Sequence, residues 1–242
     1  IESDISLKPG HPGRRWFGES ATYHLTHLES LLRGVQPADL TAERLVALLQ
    51  VLPEADNGYT PLHRNGRKEA AQPREAAMRY GDDTVRLLQK YAGDINDYYA
   101  RCKRAAILWD WVQGTPVEII EELYTSNPFF AIGHGEIRRF ADNTRFHLRS
   151  AHEIASIMFL GQGPDEETIE AMLRRLEVGI PADVLDLLSL PVTLLRGEYL
   201  ALRAAEVKTI DAFWALSEDQ IDQILDPSRT AQLERLRAAA TT

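Results

Sequence analysis

Apolar residues recur at three- and four-residue intervals along most of this 242-residue chain, the spacing of one face of an α-helix. The long β-branched alternations that strands favour are missing. The pattern predicts an all-α fold. Residues 19–35 carry Tyr23, Leu25, Leu28, Leu31 and Leu32, a helical stripe stopped by Gly34. Thr41 reads as the cap of a second helix, AERLVALLQVL, which Pro53 closes. Residues 53–75 are polar and interrupted by Pro53, Gly58, Pro61, Gly66 and Pro73, so they read mostly as loop with room for one short helix. Asp82–Tyr91 and Ile95–Val112 read as helices, the second one buried and stopped at Gly114.

Thr115 and Pro116 then open a short acidic helix expected to pack through Val117, Ile119, Ile120 and Leu123. A turn over residues 124–135 leads into a long helix, Glu136–Phe159. Gly161–Pro164 is the strongest boundary in the chain. Beyond it, short helices are expected at Glu166–Leu176, Ala182–Leu188, Leu194–Ala204, Ile210–Ala215 and Glu218–Leu225, with a final helix after Asp226-Pro227. Residues 1–18 are rich in Gly, Pro and charge and read as an extended arm or linker. Three units result: the arm 1–18, a helical bundle 19–161 and a smaller helical domain 162–242.

Composition adds limits. With 44% hydrophobic residues, the chain can bury a core in two compact units. No apolar run approaches the ~20 residues of a membrane span. The single cysteine, Cys102, excludes an internal disulfide framework and suits a reducing, cytoplasmic compartment. A first residue of Ile rather than Met suggests a processed product or a fragment of a longer protein. The net charge of −9 argues against a generally sticky nucleic-acid binder, whose affinity comes largely from neutralising phosphates. The charge is nevertheless local. Arg64, Arg67, Lys68, Arg74 and Arg79 face only Glu69 and Glu75 within residues 62–80, and the stretch from Arg138 to Arg149 is basic. Acid concentrates at Asp165–Glu170 and Glu218–Asp226.

Candidate chemistry is sparse. There is no phosphate-cradling GxxxxGK[ST] loop, and Gly133-His134-Gly135 reads as a tight turn feeding a helix N-terminus. His24 and His27 stand three apart without a third metal ligand. Glu121-Glu122 and Asp165-Glu166-Glu167 read as solvated faces or partners of helix dipoles. No nucleophile elbow is present. Nothing marks a self-contained enzyme, and no metal or cofactor site is expected in this chain.

The long helix has two faces. Ile137, Phe140, Ala141, Thr144, Leu148, Ala151 and Ile154/Ala155 form an apolar face that should be core. Arg139, Asp142/Asn143, Phe146, Arg149/Ser150 and Glu153 form another. That face reads either as a solvated surface or as one that offers guanidinium groups to phosphates and a ring to a base.

The run AILWDWVQGTPVEIIEELYTSNPFFAIGHGEIRRFADNTRFHLRSAHEIA resembles the C-terminal ratchet region of Ski2-like superfamily 2 helicases. The following RRLEVGIPADVLDLLSLPVTLLRGEYLALRAAEVKTIDAF resembles the helix-hairpin-helix that comes after the ratchet there, with Leu187–Pro191 and Val207–Thr209 matching its two ends. The resemblance covers about residues 95–215. It implies a ratchet helix lying against single-stranded nucleic acid, DNA or RNA, with Arg139 and Phe146 facing the strand first and Arg138, Asn143, Arg145 and Arg149 second. It also implies motor domains, with their ATP and Mg, in the same or a partner chain. Two departures stand out. The hairpin glycines are replaced by Val192-Thr193-Leu194-Leu195, and residues 1–94 match nothing in the family pattern. The net charge and those missing glycines motivate an alternative: a protein–protein interaction or autoregulatory module of a multi-subunit complex.

Overall fold

The computed structural model describes residues 28–57, 59–63 and 66–240. The arm 1–18, His24 and His27, and Arg64 lie outside them. The described residues form helices and loops with no strand. The helices are α1 (28–32), α2 (Ala42–Leu48), α3 (Pro53–Asn57), α4 (Arg67–Tyr80), α5 (Asp82–Lys90), α6 (Ile95–Val112), α7 (Val117–Tyr124), α8 (His134–Met158) and α9 (Glu166–Val178). A 3-10 helix, Ala182–Ser189, precedes α10 (Arg196–Ala204), α11 (Ile210–Trp214), α12 (Glu218–Ile224) and α13 (Pro227–Ala240). Among the described residues, no helix is long and apolar enough to cross a membrane.

The expected caps account for many of these boundaries. The Thr41 hydroxyl accepts from the Arg44 N–H at 3.2 Å and opens α2. Asp94 accepts from the N–H groups of Asn96 and Asp97 at 2.7 and 2.9 Å and opens α6. Gly114, at φ +78°, ends α6 in the left-handed conformation, with the Thr115 N–H returning to the Asp110 carbonyl at 2.9 Å.

Two expectations need correction. Residues 67–80 form a 14-residue helix with Pro73 inside it, where the stretch through residue 75 was expected to be mostly loop with one short helix. Its buried positions include Glu69 and Gln72 beside Ala76 and Tyr80, so the inward stripe is half polar and hides from hydrophobic periodicity. In α7, only Ile120 and Tyr124 are buried. Ile119 and Leu123 are 44% and 50% exposed and do not pack as expected.

Helix α6 is the axis of the larger unit. Thirteen of its 18 residues are buried, and α2, α4, α5, α7, α8 and α9 pack around it. Its buried polar groups are paired. Arg79 of α4 reaches Asp110 at 3.2 Å, and the Tyr124 hydroxyl donates to the same carboxylate at 2.6 Å. The apolar side chains divide into two clusters: one gathers residues from Leu28 to Leu176, the other from Ile180 to Leu233. The division falls at residues 176–180, past the Gly161–Pro164 turn, because Ile169, Met172 and Leu176 of α9 belong to the first cluster.

Candidate nucleic-acid interface

Helix α8 is 25 residues long and buries Ile137, Phe140, Ala141, Thr144, Leu148, Ala151 and Ala155, the spacing of a single inward stripe. Every candidate residue therefore lies off the core face. They do not form one surface. Arg138, Arg145 and Arg149 turn toward α9. The Arg138 guanidinium donates to the Glu177 carbonyl at 3.2 Å. Arg145 pairs with the Glu177 carboxylate at 3.1 Å, and Arg149 pairs with Glu170.

Arg139, Asn143 and Phe146 follow one another at four- and three-residue steps along a separate side of α8. The Arg139 guanidinium donates to the Tyr59 carbonyl and lies 5.1 Å from the centroid of the Phe140 ring. Asn143 is half-buried. The Phe146 side chain is 81% exposed, touching the His147 ring edge-on at 5.0 Å. His147 in turn lies 3.9 Å from Glu54 of α3, so α3 flanks this side of the helix.

The loop that brings Tyr59 to Arg139 is fixed from below by buried cations of α6. Lys103 donates to the Pro61 carbonyl at 2.6 Å, and Arg104 donates to the Thr60 hydroxyl at 2.9 Å. Lys103 also lies 3.6 Å from Glu69 of α4, and both side chains are almost fully buried. Burial pulls the Lys103 ammonium down to about 8, with Glu69 opposing the shift. For Glu69, burial pushes the carboxyl upward. Hydrogen bonds from the Ser126 hydroxyl and the His63 N–H outweigh that push and hold the group below its ordinary value. Tyr59 itself is 63% exposed, and its carbonyl holds Arg139.

No protein-family model and no curated protein matches this chain. The arginines of the candidate face are all engaged by internal acceptors, and its exposed ring is Phe146.

Three neighbouring features take ordinary structural roles. At the start of α8, the Gly133 N–H donates to the Glu136 side chain at 3.1 Å, so the helix caps itself. Before α10, the Leu195 N–H donates to Glu198 at 2.6 Å and the Asp226 N–H donates to the other oxygen of that carboxylate at 3.0 Å. A protein carboxylate thus occupies the amide at the start of α10. Asp165 caps α9 through the Thr168 N–H at 2.8 Å, and that hydrogen bonding holds its carboxyl below the usual value. Among the described residues, no group of three or more His, Cys, Asp or Glu side chains is placed to hold a metal.

Sequence reasoning missed Tyr59, Glu170 and Glu177. Tyr59 sits in an irregular loop and carries no periodic signal. The two glutamates stand seven apart on α9 and meet Arg149 and Arg145, which stand four apart on α8, so no shared spacing announces the pairs. Neither glutamate lies in the acidic run Asp165-Glu166-Glu167, which read as a solvated face or a partner of the helix dipole.

Proposed function

We propose that this chain guides single-stranded nucleic acid along α8, as an accessory region of a Ski2-like helicase whose ATP-driven motor domains lie in the same or a partner chain. The observation that carries this reading is Phe146. Burying a phenylalanine stabilises a fold by about 1.5–3 kcal/mol, yet this ring stands in solvent on a helix whose opposite face is core. An exposed ring two helical turns from a guanidinium is suited to stack on a base while the cation holds a phosphate. The strand would pass Phe146 and Arg139, with the ring resisting back-slip between cycles of the motor. The setting is the cytoplasm, where a lone buried Cys102 thiol, pushed up to about 12 by burial, needs no disulfide partner. The test is a titration of a labelled oligothymidylate and a labelled oligouridylate with the chain and its Arg139→Ala/Phe146→Ala variant. Weaker binding by the variant supports the reading. Equal affinity and equal salt dependence reject it.

One observation favours a second reading. Ile119 and Leu123 stand one turn apart on α7 and are about half exposed, flanked by the exposed Glu118 and Glu122. Such a stripe suits a basic, apolar protein surface, and the chain would then serve as an interaction module in a multi-subunit complex. Replacing Ile119 and Leu123 with serine separates the two readings. It leaves strand binding intact if α8 is the working surface, and it abolishes assembly with the partner subunit if α7 is.

A further inference from the structure

The geometry points to Glu170 and Glu177 as built-in competitors for the arginines of α8: carboxylates of α9 hold Arg149 and Arg145 until the phosphates of a strand replace them. This rests on the reading of α8 as a strand-binding helix and adds a control on how firmly that helix grips.

The registry supports it. Arg138, Arg145 and Arg149 are spaced at seven and four residues on one side of α8, and Glu170 and Glu177 are spaced at seven on the facing side of α9. Two ion pairs and one carbonyl contact result. Both pairs are reached by water, with Arg149 59% and Glu177 57% exposed at their side chains. Exposed pairs of this kind contribute little to stability, so opening them costs little. The same exchange is closed to the buried pair of Lys103 and Glu69, whose side chains are almost wholly out of solvent. A phosphate offers a guanidinium the same forked acceptor as a carboxylate and carries its charge in a dense array. A strand therefore replaces the glutamates where single small anions do not.

The exchange has a signature in salt dependence. A phosphate neutralised by arginine sheds a condensed cation, and that release sets the salt slope. When the arginine comes from a carboxylate, the freed carboxylate takes up a cation, and the net release shrinks. The wild-type chain should thus bind with a shallower slope than its arginines imply. Glu170→Gln/Glu177→Gln should steepen it by about 1.4, roughly 0.7 for each of two single-strand phosphates. Affinity should rise by about 5-fold per released arginine, the upper range for an exposed pair.

The experiment is a titration of labelled oligothymidylate over a range of salt concentrations. It uses the full chain, the two single glutamine variants, the double variant, and the double variant combined with Arg145→Gln/Arg149→Gln. Thermal melting confirms that each is folded, and the single variants carry the test if the double one is not. Tighter binding with a steeper slope, lost when the two arginines are also removed, is the expected result. If wild type and double variant bind alike while Phe146→Ala weakens binding, the competition is overturned and the strand-binding reading stands. A gain that persists without Arg145 and Arg149 is general charge removal and also overturns it. If neither wild type nor any variant binds a strand at low salt, both ideas fall together.

Discussion

The guanidinium of Arg196 lies 4.4 Å from the centroid of the Trp111 ring. Around this contact the two apolar clusters are joined. Arg196 donates to the Gly179 and Thr115 carbonyls, each at 2.7 Å, and the Trp111 indole N–H donates to the Leu176 carbonyl at 2.8 Å. Burial draws the Arg196 guanidinium down to about 10, which leaves it a cation at neutral pH.

Gly179 makes this joint possible. It sits at φ +78°, and a Cβ there would come within 2.4 Å of the buried Trp111 ring. Gly179→Ala should destabilise the protein by about 3 kcal/mol through strain and overpacking. Arg196→Ala should cost about 2 kcal/mol, by stranding two carbonyls and losing the cation–ring contact. Urea unfolding followed by tryptophan fluorescence checks both, and calorimetry should resolve earlier melting of the 180–233 cluster in each.

The Lys103–Glu69 pair makes a second prediction. Removing one member leaves the other charged and buried, so Lys103→Met should cost about 3–5 kcal/mol. The double variant Lys103→Met/Glu69→Gln should cost less than the sum of its two single changes. A double-mutant cycle from denaturant midpoints measures the coupling.

The same lysine has a pH signature. Its folded value is about 8, below its value in the unfolded chain. Below pH 8 both states hold the proton, and folding carries the cost of burying the charge. Above pH 8 the folded state binds fewer protons than the unfolded one, so stability contributed by this group rises with pH until the unfolded lysine also deprotonates. Buried Tyr80 and Tyr124, raised by desolvation, act the opposite way at higher pH. The difference in stability between wild type and Lys103→Met, measured from pH 7 to about 10, should therefore grow with pH; a flat difference would contradict the assignment.

Leu160 is a local misfit. It follows α8 at φ +52°, the left-handed position that glycine usually fills after a helix, and it is 89% exposed. The Gly161 N–H closes the motif on the Ser156 carbonyl at 2.8 Å. Leu160→Gly should stabilise the chain by about 0.5–1 kcal/mol, because relief of the left-handed strain exceeds the added freedom of the unfolded glycine. A raised melting temperature is the readout.

Phe146 and Arg139 should separate in their effects. Phe146→Ala should weaken single-strand binding by about 10-fold, within the range of one lost base–ring stack, while leaving the salt slope unchanged. Arg139→Ala should lower the slope by about 0.7. Both variants should change stability by less than about 1 kcal/mol, since neither side chain fills the core.

Much of the larger unit was legible in the chain. The inward stripe of α8, from Ile137 to Ala155, follows from three- and four-residue spacing alone, and Thr41 and Gly114 mark real helix ends. Helix α4 was not legible, because a proline stands inside it and Glu69 and Gln72 occupy inward positions that only a partner such as Lys103 makes tolerable. The outward position of Ile119 and Leu123 was hidden for the opposite reason. Their spacing is that of a packed face, and only the placement of neighbouring helices decides which side of α7 turns inward. The candidate interface was half visible: its residues could be named, but their division between α9 and the Tyr59 loop depends on contacts across 32 and 80 positions of sequence.

Helix α6 has little room to move. It is walled in along most of its length, so α8, whose apolar stripe rests against the same core, is fixed as a rail. Any adjustment on the outward side of α8 therefore falls to side chains that can swing, such as Arg145, Arg149 and Phe146, and not to the helix itself.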